Sequence, residues 1–201
     1  TIDLSSGWGF LTYSKPQQYL AILLSWVLPP DSPYMTSIWS EGIIKWTSMT
    51  AYLPLCSLAG VVAYWRARQG DSKKRIIAVC MVFALVPILN SAFYALNSSY
   101  YARWFYMPVL LMCLATATAL ARRDIDYVRG VRWYAGGVLL FMVACGLTPS
   151  KTSEGEWKLG LMEEPIRFWL VCLIAVCCVA LTLWIVRQLR KNPAFVRTAI
   201  A

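Results

Sequence analysis

The chain has 201 residues, 59% of them hydrophobic and only 14% charged, with a formal net charge of +9 and no histidine. A mean hydropathy of +0.54 lies outside the range of water-soluble globular domains, and the lack of histidine excludes Ser-His-Asp triads, His-based acid–base chemistry and His-ligated metals. The basic balance accompanies long apolar runs, so it reads as a signature of membrane topology and calls for no nucleic-acid partner.

In chain order, residues 1–45 read as one extracytoplasmic segment. Thr1 to Pro16 is a loop rich in Gly, Ser and aromatics. Gln17 to Leu28 has helical character, but twelve residues rise only about 18 Å against a hydrocarbon core of about 30 Å. It is expected to lie at the interface or against the bundle. Pro29-Pro30-Asp31-Ser32-Pro33 forbids helix and makes a rigid turn that holds Asp31 outward.

A crossing helix needs about 20 mostly apolar residues. Five segments qualify: Trp46 to Trp65, Ile76 to Tyr94, Trp104 to Ala121, Trp133 to Leu147 and Ile166 to Val186. The fourth is the shortest, and it has to begin in the Arg132 flank or run past Leu147. The predicted fold class is therefore all-α, a polytopic transmembrane bundle of about five spans over 46–187, with a basic tail over 188–201. Pro54 and Pro87 fall inside spans and are expected to kink them. Asn90 and Ser91, close behind Pro87, are expected to face the bundle or a wet cavity. Gly136-Gly137 and the run Ala115 to Ala119 suit close helix packing. Thr148 to Pro165 reads as a loop with several glutamates.

Charge orients the set. The flanks after Trp65, Ala121 and Val186 hold 13 Lys/Arg and 3 acids, whereas the opposite loops hold 6 Lys/Arg and 7 acids. The basic flanks are cytoplasmic by the positive-inside rule, which puts the first residue outside and the last inside. All seven cysteines lie within the expected spans. They read as small apolar packing residues without a disulfide framework or a metal-like pair. The chain opens on threonine with no leader or opening span before its polar start, which reads as the C-terminal part of a larger polytopic protein.

The segment Asn90 to Pro108 is the most informative part. It sets one cation, Arg103, among Phe93, Tyr94, Tyr100, Tyr101, Trp104, Phe105 and Tyr106 between two apolar runs. An arginine at the edge of a membrane core is costly without an anionic partner, and aromatic rings with polar tips favour headgroup depth. Two readings follow. One is a site that holds a lipid-linked phosphate. The other is an aromatic belt with a snorkelling arginine.

Leu28-Pro-Pro-Asp-Ser-Pro-Tyr34, Lys45-Trp-Thr-Ser-Met-Thr-Ala-Tyr-Leu-Pro54, Leu85-Val-Pro-Ile-Leu-Asn-Ser91 and above all Asn97-Ser-Ser-Tyr-Tyr-Ala-Arg-Trp-Phe-Tyr-Met-Pro108 resemble the YfhO-type bacterial membrane proteins over roughly residues 20–123. The resemblance implies a glycosyltransferase of the GT-C architecture. Such an enzyme moves a sugar from a polyprenyl-phosphate carrier to a cell-envelope polymer, such as a teichoic acid, on the outer face of the bacterial cell membrane. Arg103 is then expected to pair with the carrier phosphate through its planar fork. Tyr100, Tyr101 and Trp104 would stack on the sugar or flank the polyprenyl chain, and Asn97 and Asn90 complete the expected substrate-binding set. The catalytic base is expected upstream of this chain; Asp31 is the best carboxylate in view, and a turn-capping role competes for it. No cofactor is implied, and a divalent metal is left open. The expected partners are membrane lipids, the lipid-linked sugar and its acceptor. The competing readings are a transporter or flippase for lipid-linked sugars and a non-catalytic scaffold subunit.

Overall fold

The computed structural model describes residues 9–30, 38–39, 51–56, 58–67, 71–96, 100–122, 124–151 and 157–191. Asp31, Asn97, Glu154 and Glu156, most of the segment 31–50 and the tail beyond Lys191 lie outside the described residues. The described chain is mostly helical. Helices α1 (Gln17–Ser25), α2 (Ala59–Ala67), α3 (Ser72–Leu85), α4 (Pro87–Ser91), α5 (Tyr106–Ala121), α6 (Tyr127–Leu147) and α7 (Pro165–Lys191) are accompanied by 3-10 turns at Ala92–Tyr94 and Arg103–Phe105.

Among the described residues three helices are long and apolar enough to cross a membrane: Arg103–Ala121 (the 3-10 turn running on into α5), Tyr127–Leu147 and Pro165–Lys191. Each begins or ends where the sequence turns polar. Asp126 caps α6 by accepting from the Arg129 backbone N–H at 3.0 Å, which lets the fourth expected span start six residues before Trp133. α7 continues into the basic tail as far as Lys191, where Arg190 Nη2 donates to the Ile125 carbonyl at 3.0 Å.

The other two expected spans take different forms. Of Trp46 to Trp65, the described part is helical only in α2, whose nine residues rise about 14 Å. Pro54 disfavours helix at Leu53 and brings no N–H, and Leu55 is left-handed, with φ of 65°. Residues 51–56 therefore run as extended chain and turn. Ala51 and Leu53 are still buried, and the Leu55 carbonyl accepts from the Thr182 hydroxyl at 2.9 Å. Irregular backbone of this kind is tolerated in a bundle where other parts of the protein meet its polar groups.

The second expected span, Ile76 to Tyr94, is bent by 100° between α3 and the α4 segment. The bend falls at Val86, whose extended backbone (φ −106°, ψ 115°) is what a following proline imposes. The polar groups freed at the bend are met from the N-terminal segment and from α4. Tyr13 Oη donates to the Ala84 carbonyl at 2.9 Å, Asn90 Nδ2 donates to the same oxygen at 3.4 Å, and the Ile88 N–H bonds to the Phe10 carbonyl at 3.0 Å.

The core centres on α2, which packs against both α5 and α6. Gly60 meets Thr116 of α5 and Gly130 meets Ala63 of α2 so closely that a side chain on either glycine would collide. Ala115, Thr116 and Ala119 are buried, as their small size allows. The expectation for Gly136-Gly137 is not met among the described residues: a Cβ on either would find nothing outside its own helix turn within 4 Å, and close packing on α6 occurs instead at Gly130 and at Gly146, which faces Trp169. α1 and the turn after it lie against the bundle, with Ile22, Leu24, Trp26 and Leu28 buried. Between α6 and α7, where a plain loop is expected, Pro149–Lys151 and Trp157–Leu159 pair as an antiparallel hairpin, β1 and β2, with Ser150 opposite Lys158. Gly160, at φ 97°, closes it back onto the end of α6, its N–H bonding to the Thr148 carbonyl at 3.0 Å. A side chain would be strained in that conformation.

Candidate functional site

The aromatic segment folds back on itself at the rim where α4 ends and α5 begins. After the 3-10 turn Ala92–Tyr94, both Ala95 and Leu96 are left-handed, with φ of 51° and 60°, and the Leu96 N–H bonds to the Ser91 carbonyl at 2.9 Å. Two consecutive non-glycine residues in this conformation are uncommon and persist only where surrounding contacts hold them. Ring pairs across the segment are such contacts. Phe93 stacks on Trp104 at 4.5 Å and 13°, and Tyr94 stacks on Tyr101 at 4.7 Å and 15°.

The expected substrate-binding residues divide into an inward and an outward set. Asn90 is fully buried: its Oδ1 accepts from the Tyr101 N–H at 2.7 Å, while its Nδ2 donates to Ala84. Its amide is committed to the backbone on both sides. Trp104 also lies inward. It is 3% exposed, one face is covered by Phe93, and Phe83 and Phe105 meet it edge to face at 6.5 and 5.0 Å. Tyr100, half-buried, packs edge to face against Tyr13 at 6.1 Å and Phe105 at 6.4 Å. Burial holds the phenols of Tyr13 and Tyr100 well above their ordinary pKa, so Tyr13 keeps the proton it donates to Ala84. Asn97 and Asp31 lie outside the described residues.

Arg103 faces outward, and here too an expectation changes. The sequence suggests a buried cation, yet the side chain is exposed on the 3-10 turn. Its guanidinium carbon stands 6.0 Å from the centre of the Tyr101 ring, within reach of a cation–π attraction. Among the described residues Arg103 makes no ion pair. Around it lie the exposed rings of Tyr94 and Tyr106 and the half-buried Tyr101. The result is a permanent cation braced by an aromatic stack, with its N–H fork open to an anion. The sequence draws attention to this segment but does not pair Phe93 with Trp104 or Tyr94 with Tyr101, and it gives Tyr13 no role; these partners are brought together only in the fold. Among the described residues no group of three Cys, Asp or Glu side chains is placed to hold a metal ion.

No family model, curated protein or solved structure matches the chain.

Proposed function

We propose that the chain is membrane machinery for lipid-linked sugars: part of a GT-C-type glycosyltransferase that takes a sugar from a polyprenyl-phosphate carrier and passes it to a cell-envelope acceptor. The observation that carries this reading is the exposed Arg103 guanidinium, braced over Tyr101 at the rim of the bundle. The YfhO-type resemblance of the same segment supports it. When the glycosidic bond to the carrier breaks, negative charge grows on the departing phosphate. A guanidinium held in place before the reaction stabilises that charge without reorganising. Tyr94, Tyr101 and Tyr106 supply amphipathic faces for the sugar or the first isoprene units. No residue of the chain is assigned as the base that activates the acceptor.

In this reading the Arg103 rim faces outward and the basic flanks face the cytoplasm. α2 with residues 51–56, and the bent α3–α4 pair, act as the two further crossings of a five-span bundle. Orientation is tested in a cysteine-free background with an impermeant thiol reagent on intact cells. Lys151→Cys is expected to label and Arg122→Cys to stay unlabelled; the reverse pattern removes the outward site.

Arg103→Ala is expected to lower sugar transfer by roughly 30-fold to several thousand-fold, since removing a charged partner of a desolvated anion costs about 2–5 kcal/mol. Arg103→Lys keeps the charge, loses the fork and falls between. The readout is glycosylation of the envelope acceptor, with protein level measured alongside. Full transfer by Arg103→Ala at normal expression reduces Arg103 to an interfacial anchor.

A second reading, transport of the lipid-linked sugar, draws on the 100° bend between α3 and α4 and the irregular segment before α2, buried at Ala51 and Leu53. Discontinuous helices are common in transporters. Flipping of a labelled polyprenyl-phosphate sugar in proteoliposomes without acceptor, undiminished by loss of transfer, favours it.

A further inference from the structure

At the basic end, away from Arg103, α6 and α7 part to leave an apolar groove of about 250 Å³. Val131, Val138 and Met142 line it from α6, and Ala175, Val179 and Leu183 from α7. Small residues make the room: Ala135 and Ala180 also line it where larger side chains would close it. From Val131 to Met142 the groove follows α6 for about 16 Å, close to the half-thickness of a hydrocarbon core, about 15 Å. One leaflet's acyl chain matches that length.

The mouth is chemically different from the floor. Arg132 lines the groove at that end and is exposed. Arg187, also exposed, follows Leu183 by four residues, so it lies on the same face of α7 one turn further out. Neither makes an ion pair among the described residues; the salt bridge at this end joins Arg122 to Asp124 at 3.2 Å. Trp133 and Trp184, next in sequence to the lining residues Arg132 and Leu183, are 60% and 52% exposed, and such rings settle at headgroup depth. Arg66 braces Trp133 from α2, its guanidinium carbon 4.9 Å from the ring centre.

We infer that this groove is a binding site for one anionic glycerophospholipid, with an acyl chain between α6 and α7 and the phosphate held by Arg132 and Arg187. An apolar floor of one chain length under a pair of arginines fits that ligand. A zwitterionic lipid would fill the floor but bring a quaternary amine to the cations. A second protein copy would have to present acidic side chains at headgroup depth. The site is independent of the Arg103 rim.

Native mass spectrometry of the full chain in detergent, titrated with phosphatidylglycerol or with phosphatidylcholine of the same chains, tests it. One phosphatidylglycerol is expected to bind at least tenfold more tightly than phosphatidylcholine. Arg132→Gln and Arg187→Gln should each weaken it about five-fold, equivalent to about 1 kcal/mol per cation at a lipid surface. Arg75→Gln, which removes a charge from an exposed position on α3, should leave it unchanged. Ala180→Phe, filling the groove from an exposed position, should abolish both lipids. Equal binding of the two lipids, equal loss in Arg75→Gln, or unchanged binding in the two arginine variants would overturn the proposal and leave only diffuse lipid contact. A dimer that dissociates in Ala180→Phe would overturn it in favour of a second copy. Should Ala180→Phe fail to fold, the surface arginine variants decide alone.

Discussion

The two ends of the bundle use their polar groups in opposite directions. At the Arg103 rim, Asn90, Tyr13 and the Phe10 carbonyl turn inward to complete a backbone broken by Pro87, and Arg103 faces out. At the basic end the helices need little repair. Asp71 and Asp126 cap α3 and α6, and cations lie over the exposed rings of Trp133 and Trp65 and beside the buried ring of Tyr64. A buried amide that closes a bend is worth far more to the fold than a solvated ion pair. Stability at the rim therefore rests on a few buried bonds, whereas at the basic end it is spread over many weak ones.

The sharpest way to break this comparison is Asn90→Leu. The substitution keeps the branched shape and heavy-atom count of the side chain, leaves the Tyr101 N–H unpaired and makes the Ala84 carbonyl depend on Tyr13 alone. Each buried polar group left short costs about 1–3 kcal/mol, so a loss of about 2–4 kcal/mol is expected, read by denaturant unfolding in micelles. Tyr13→Phe should cost less alone, and the double variant should lose more than the sum of the two, because Ala84 then has neither partner. Wild-type stability in Asn90→Leu would show that the bend does not depend on its amide.

The next largest effect lies where α2 packs closely against α6. Gly130→Ala pushes a methyl into Ala63 and should destabilise by about 1–3 kcal/mol. Gly136→Ala, on the same helix with nothing within 4 Å, should be neutral or gain up to about 1 kcal/mol from helix propensity. Similar losses at both glycines would mean that α6 uses the face carrying Gly136 against a further partner.

These contrasts also mark how far the sequence could be read. α5, α6 and α7 were legible because each is a long apolar run ended by charge or a cap, a pattern that depends on near neighbours only. Pro87 announced a break, but its direction depends on Tyr13, which is 71 residues from Ala84. In the aromatic block, Arg103 and Trp104 are adjacent and both suit an interface, yet the 3-10 turn sends one outward and the other under Phe93. Composition cannot separate them. The hairpin had no signal at all, since three-residue strands are too short for an alternating pattern. At Gly136-Gly137 a pair of small residues suggested a contact surface, while the contact formed at Gly130, six residues earlier, where Ala63 of α2 lies against it.

The smallest expected effect tests the basic end itself. Asp71 joins α2 to α3: one carboxylate oxygen accepts from the Lys73 N–H at 3.0 Å and the other from the Tyr64 hydroxyl. The Tyr64 hydrogen bond first, and the Lys73 backbone bond second, hold this carboxyl below the ordinary aspartate range. A group whose folded pKa is depressed stabilises the fold above its unfolded value, about 3.9 for aspartate, and loses that contribution as the pH falls through the folded value. Asp71→Asn should therefore lower Tm slightly at pH 7, with the gap to wild type shrinking as the pH falls through and below the ordinary aspartate range. Tyr64→Phe should reproduce part of the same pH-dependent gap, because it removes one of the two donors. Thermal unfolding in micelles between pH 3 and pH 8 reads both. A gap between wild type and Asp71→Asn that is the same at pH 3 and pH 7 would mean that the carboxylate charge contributes nothing here. The junction would then rest on the apolar burial of Tyr64 against its neighbours.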